Sequence, residues 1–273
     1  MDKNPLSLKK TFATLGEVEY KIASTPQELE GALSLVYHEY TKRHLIRKEN
    51  YKHGLRISPQ HILPETTVFI GLKKNEVIIT LSTFRDSPLG IPMDTGYHEE
   101  VQRLRDQGRK FAEPGYLAIK GGMFGGKKSL LKTVEKIHFI CTIFQMAIQY
   151  GLYHTDVDDA CLVTNPNPKQ KFFKYFPLET MGEEKSYGFD QLDVDPLPAI
   201  AKRLDFRAIR QSRFHIRNII LKLAMGPRMP ASLFRQRLKM TKEDVLYFLE
   251  KKSDILKNLR PAEADYIRSC YNI

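Results

Sequence analysis

The chain has no long apolar run. No stretch of its 273 residues approaches the roughly 20 apolar residues that a membrane-spanning helix needs. The opening MDKNPLSLKKTFATLGEVEY also lacks the apolar core of a secretory signal. These absences argue against a membrane-embedded or exported protein and point to the cytoplasm. Cysteine is scarce: Cys141, Cys161 and Cys270 are odd in number, widely spaced and set mostly in apolar surroundings, so reduced structural thiols are expected rather than a disulfide framework or a metal site. No internal repeat and no low-complexity tract is present. Acidic residues are sparse at one end only. Residues 201–273 hold 17 Lys and Arg against 7 Asp and Glu, so nearly all of the net charge of +11 lies there. That shift marks a boundary near residue 205, between a near-neutral body, 1–205, and a basic helical extension, 206–273.

What the chain does have is centred on residues 111–151. An acidic residue, Glu113, precedes the apolar run Tyr116-Leu117-Ala118-Ile119, which reads as a buried strand. Four glycines follow within six residues, Gly121, Gly122, Gly125 and Gly126, then Lys127, Lys128 and a long helical pattern that ends at Gly151. A strand passing through a glycine-rich loop into a helix leaves unpaired N–H groups where the helix dipole favours an anion. The two lysines add charge there, and a phosphate-bearing ligand is one reading of the loop. The other is that the glycines only turn the chain, because the spacing fits neither a P-loop nor a dinucleotide fingerprint.

The remaining pattern gives the element order. Val18–Ala23 alternates as a strand, and Ser24-Thr25-Pro26 opens a helix with Leu29, Leu33, Val36, Tyr37 and Tyr40 on one face. Residues 45–64 read as an irregular segment. Two β-branched runs, 66–72 and 77–84, form a hairpin, followed by the turn-rich loop Asp86-Ser87-Pro88-Leu89-Gly90-Ile91-Pro92-Met93-Asp94 and a short polar helix over 97–107. After the long helix come a strand at 160–164, a short helix bearing Phe172, Phe173, Tyr175 and Phe176, and two extended segments around 178–187 and 197–205. A mixed α/β sheet follows, with the glycine loop at the carboxyl end of its central strand, where open sheets place ligands. Arg203, Arg207, Arg210 and Arg217 then recur on one stripe and Ile209, Ile216, Ile220 and Leu223 on another. Such a helix docks on anionic lipid or on an acidic protein, or packs on the body with its arginines in solvent.

The order of elements resembles the GNAT acyltransferase fold: a mixed, mostly antiparallel sheet flanked by helices. The loop at 86–94, Gly108-Arg109-Lys110-Phe111-Ala112-Glu113, Val36–Tyr40, Leu63–Thr67 and Asn167-Pro168-Lys169 are similar to the FeeM-type long-chain N-acyl amino acid synthases, relatives of the acyl-homoserine-lactone synthases. The chain departs from that pattern at Pro114-Gly115-Tyr116 and from Gln170 to Tyr175. The resemblance implies transfer of a fatty acyl group from a phosphopantetheine thioester, on acyl carrier protein or coenzyme A, to the amine of an amino acid, with no permanently bound cofactor and no metal. It implies Glu113 and Tyr175 as catalytic groups and Tyr37, Tyr40 and Arg85 as substrate contacts. Leu117, Ile119, Gly121, Gly122, Gly125, Gly126, Lys127 and Lys128 would hold the donor arm. Glu113 and the main-chain donors are expected side by side at one splayed point of the sheet. The implied partners are an acyl carrier protein and an amine, with peripheral membrane contact through 206–224. Two other readings stay open: a small-acyl transferase using acetyl-coenzyme A, and a nucleic-acid-binding protein gripping phosphate through the basic tail, although the tail has few aromatics and no reading motif.

Overall fold

The computed structural model describes residues 17–51, 53–122, 130–166, 178–188, 197–211 and 226–272. The first strand, β1 (Glu19–Ile22), leads into α1 (Pro26–Lys42), whose N-cap Thr25 accepts the Glu28 N–H through its side chain. β2 (Thr67–Lys73) and β3 (Glu76–Arg85) form the expected hairpin. Its two-residue turn, Lys74-Asn75, has φ of 51° and 62°, the left-handed pair that a type I′ turn requires to match strand twist. Then follow α2 (Asp94–Asp106), β4 (Phe111–Ile119), the long α3 (Leu130–Tyr153), β5 (Asp159–Thr164), the short β6 (Glu179–Thr180) and β7 (Lys185–Tyr187), and β8 (Leu197–Asp205). The C-terminal part adds α4 (Phe206–Gln211), α5 (Lys242–Leu246), α6 (Ile255–Asn258) and α7 (Pro261–Tyr271).

The strands form one open sheet in the order β1-β2-β3-β4-β5-β8-β6, with β7 also paired to β8. Among the described residues every pairing is antiparallel except β4 with β5. Apolar side chains cover both faces, which is why β2 and β3 read as nearly continuous β-branched runs. One face packs the α1 stripe Leu29, Leu33, Val36, Tyr37 and Tyr40 with Tyr97, Val101 and Leu104 of α2. The same core takes in Val245, Phe248, Leu249 and Ile267 from the C-terminal part. The other face packs Phe69, Ile79 and Leu81 against Phe139, Ile143 and Met146 of α3. Between residues 226 and 240 the chain passes from the α3 face to the α1 face around the β1 edge. Gln149 binds the Pro227 carbonyl and the Met229 N–H, and Leu238 N–H donates to Ala23 O at 2.8 Å. No helix among the described residues is long and apolar enough to cross a membrane.

Three local expectations change. The long helix does not stop at Gly151 but runs to Tyr153. Gly151 is there for space, since a Cβ on it would lie 2.5 Å from the ring of Phe206. The extended segment at 178–187 is two short strands, not one. Arg203 belongs to a strand and not to a basic helix, and the first arginines of the stripe face the body. Arg203 pairs with Glu179, Arg207 pairs with Asp158, and Arg210 donates to the carbonyls of Gly151 and Leu152 at the end of α3 and to that of Val157 beyond it. Arg217 and the rest of 212–225 lie outside the described residues.

Replacing a helical glycine by alanine ordinarily adds about 1 kcal/mol of stability. Gly151→Ala is expected to do the opposite, costing about 1–3 kcal/mol through overpacking against Phe206. The midpoint of urea unfolding checks this.

Candidate active site

β4 and β5 share only two rungs, Phe111 with Asp159 and Ala112 with Ala160, and beyond them the parallel strands separate. Ion pairs pin the base of this V. Arg109 binds the fully buried Asp159 and lies 3.0 Å from Asp205, while the Asp158 carboxylate accepts both Arg207 and the Lys110 N–H. Burial raises the pKa of Asp159, and Arg109 works against that rise.

Glu113 is the first residue past the last rung. Its side chain turns to the α1 face, is 6% exposed, and accepts the Met93 N–H at 2.7 Å. Burial pushes its pKa up to about 8, with Asp94 adding to the rise and the Met93 hydrogen bond opposing it. The loop at 86–94 aims that N–H. Arg105 of α2 spans its two ends, reaching Asp86 at 2.7 Å and Asp94 at 2.6 Å. Asp94 also accepts the Ile91 N–H, and Tyr187 donates to the Pro92 carbonyl. Gly90 sits at φ +66°, where a Cβ would lie 2.6 Å from the Asp94 carboxylate, so only glycine closes the bracket. Arg105 was missed in the sequence, although an arginine on the helix after two flanking acids is a readable signal. Cys161 is fully buried, and burial, together with the charges of Asp159 and Glu113, keeps its thiol well above the usual range. It is a structural thiol, as expected.

The departure at Pro114-Gly115-Tyr116 is where β4 bulges. Ser82 pairs with Gly115 and Thr80 with Ala118, leaving two β4 residues opposite one, and Tyr116 takes φ 55°. Its ring packs 5.2 Å from Phe84, 4.8 Å from His61 and 5.1 Å from the buried Arg56 guanidinium. His61 is neutral, held down to about 3 by burial and then by Arg56. Its Nδ1 accepts the Ser58 N–H, so Nε2 carries the proton toward Ser82. Tyr40 is buried on this face, and burial, then Tyr116, raises its pKa; Tyr37 lies edge-on to Tyr51. Arg85 is on the opposite face, paired with Asp156 at 2.7 Å, and so does not meet the two tyrosines.

The glycine turn is not beside Glu113. Gly121 lies eight residues further along, which is about 25 Å of strand at roughly 3.3 Å per residue. The side-by-side arrangement expected from the sequence is therefore replaced by two stations at opposite ends of β4. The Gly121 N–H donates to Glu39 of α1 at 2.5 Å, and Gly122 is exposed at φ +89°. Between the stations the β4 edge has no β5 partner. Lys120 N–H bonds Ile78 on the β3 side, so by alternation the adjacent Ile119 turns its N–H toward the gap. Gly125, Gly126, Lys127, Lys128 and Tyr175 lie outside the described residues.

Behind the base of the V, on the α3 face, is a cavity of about 600 Å³. Ala112, Pro114 and Ala160 form its side toward the gap, and Phe144, Ala147, Ile148 and Phe206 form much of its apolar wall. Thr67, Thr83 and Arg85 line it from the sheet. No cluster of metal-ligating side chains occurs among the described residues.

A mostly antiparallel sheet whose one parallel pair splays, with a carboxylate at the base of the splay and helices on both faces, is a GNAT-like acyltransferase fold. The N-acyl amino acid synthase FeeM family matches residues 31–191, more than half of the chain. The chain belongs to that family and is an N-acyltransferase. The solved structure of FeeM, an N-acyl amino acid synthase from uncultured soil microbes, is 23% identical with a TM-score of 0.55, over 72% of this chain and 95% of that one. The coenzyme A-dependent acyl-homoserine lactone synthase BjaI, solved with SAM and isopentyl-CoA, is 11% identical with a TM-score of 0.48, over 84% of this chain and 97% of that one. The AHL synthase LasI is 11% identical with a TM-score of 0.44, over 82% and 98%. Among curated proteins, none matches.

The raised pKa of Glu113 carries a stability consequence. Below pH 4.5 the group is protonated folded and unfolded, and the burial penalty is absent. Between pH 4.5 and about 8 the unfolded chain ionises while the folded one holds its proton, so stability falls with rising pH and levels off above. Glu113→Gln is expected to remove this slope, making the variant on the order of a few kcal/mol more stable relative to wild type at pH 9 than at pH 4. Urea titrations across that pH range check it.

Proposed function

We propose that the protein moves a long-chain fatty acyl group from a phosphopantetheine thioester to the amine of an amino acid or similar primary amine. The single observation that carries this reading is the base of the β4–β5 gap. A buried carboxylate with a pKa of about 8 stands on one face there, and a large, partly apolar cavity opens on the other. An ammonium ion cannot attack a thioester, and Glu113 is the base that takes its proton. The donor arm runs from the glycine turn along the free β4 edge, where the Ile119 N–H can pair with one of its amides. The acyl carbonyl then reaches the base of the gap, and the chain enters the cavity. The amine approaches from the α1 face, so the two substrates meet across the plane of the sheet.

A cavity of this size favours a long chain over an acetyl group. The Gly121 N–H already serves Glu39, which favours the single phosphate of an arm carried by acyl carrier protein over the diphosphate of coenzyme A. Tyr37 and Tyr40 are proposed contacts on the amine side and Arg85 at the cavity wall. Tyr175 keeps its proposed role as general acid on the resemblance alone.

Lipid extracts of cells expressing the wild type are expected to contain a new acyl amide by mass spectrometry, and those expressing Glu113→Gln are expected to lack it. In purified form the variant should lose about 10²–10⁴ in kcat/KM. The wild-type rate should climb with pH to a plateau above about 8 as Glu113 loses its proton. Equal product from both proteins would remove Glu113 from the chemistry.

A further inference from the structure

The sheet wall of the cavity carries two hydroxyl groups for which the described residues supply no partner. Thr67 and Thr83 are register partners on β2 and β3 and both line the cavity. Their Cβ atoms therefore lie about 4.5–5.5 Å apart on one face of the sheet. The Thr83 hydroxyl oxygen is buried and has no hydrogen-bond partner. Thr67 is 3% exposed and makes no side-chain hydrogen bond among the described residues. Thr66, Thr80 and Thr164 each donate to a backbone carbonyl, whereas the Thr41 hydroxyl is also buried and unpartnered but does not line this cavity. A buried hydroxyl without a partner costs stability, and valine would fill the same place in a strand at no such cost. Rotation about χ1 moves the Thr83 hydroxyl among three staggered positions, and because the residue lines the cavity an oxygen held there is a candidate partner.

Position and charge narrow what that oxygen would meet. Thr83 stands opposite Pro114, the residue after Glu113, so its partner atom lies near the reacting end of the acyl group. Arg85 is committed to Asp156 and Arg237 to the Pro64 carbonyl, so the wall suits a neutral oxygen and not a second carboxylate. Resting on the function proposed above, we infer that the acyl group carries a hydroxyl or oxo substituent within the first few carbons from the thioester, held by Thr83 and Thr67.

The test is calorimetric titration of the full chain with S-dodecanoyl, S-3-hydroxydodecanoyl and S-3-oxododecanoyl pantetheine. Wild type, Thr83→Val and Thr83→Ser are compared, with a melting temperature for each. Wild type is expected to bind at least one oxygenated thioester about tenfold or more tighter than the plain one. Thr83→Val should bring that ratio to within about twofold and raise Tm, and Thr83→Ser should keep the ratio. Equal binding of all three by wild type, or a ratio that persists in Thr83→Val, overturns the inference and leaves the acyl site standing. Failure of every thioester to bind overturns the inference together with the proposed function.

Discussion

The site depends on one constraint: β4 and β5 are held together for two rungs and no further. Two parallel strands that stayed paired would seal the sheet and leave neither a free edge for a donor arm nor a passage from one face to the other. The Arg109 guanidinium, shared between Asp159 and Asp205, fixes the strands where they do meet, and Arg207 and Lys110 repeat the arrangement on Asp158. Charges this deeply placed contribute little net stability once desolvation is counted, but removing one partner would strand the other. Their effect is positional: they set the point at which the V opens, and Glu113 is the next residue.

The second determinant is the bracket at 86–94. A buried carboxylate beside apolar rings gains nothing from water, so its protonation is set by the few groups that touch it. Here that is one N–H and one nearby carboxylate, those of Met93 and Asp94. Both come from the same short loop, and both are oriented by Arg105. Loop geometry is thereby converted into proton affinity: a shift of the loop that lengthened the Met93 hydrogen bond would make the base stronger and, at neutral pH, less often ionised.

Much of this was legible in the sequence, for identifiable reasons. The α1 stripe, the β-branched hairpin and Glu113 just before an apolar strand are local patterns, and local patterns survive folding. What could not be read were distances between segments. Glu113 and Gly121 look adjacent in a one-line sequence, but an extended strand holds its ends apart. Gly151 looks like a helix stop, and only the ring of Phe206 from a later segment explains it. The arginines at 203, 207 and 210 look like a surface stripe, yet each finds a partner on a distant element, which periodicity cannot reveal.

The closing segment of the chain has a consequence for how the molecule is made. Leu238 docks on Ala23, Lys252 and Tyr247 both reach Glu30, and Tyr271 donates to Ile62, so the α1 core is completed by residues some two hundred positions later. A nascent chain therefore emerges with that apolar surface uncovered until its last helices are translated. Contacts of such long sequence separation form slowly. Removing the residues beyond about 240 would leave that apolar surface facing water, the condition under which incompletely folded chains aggregate.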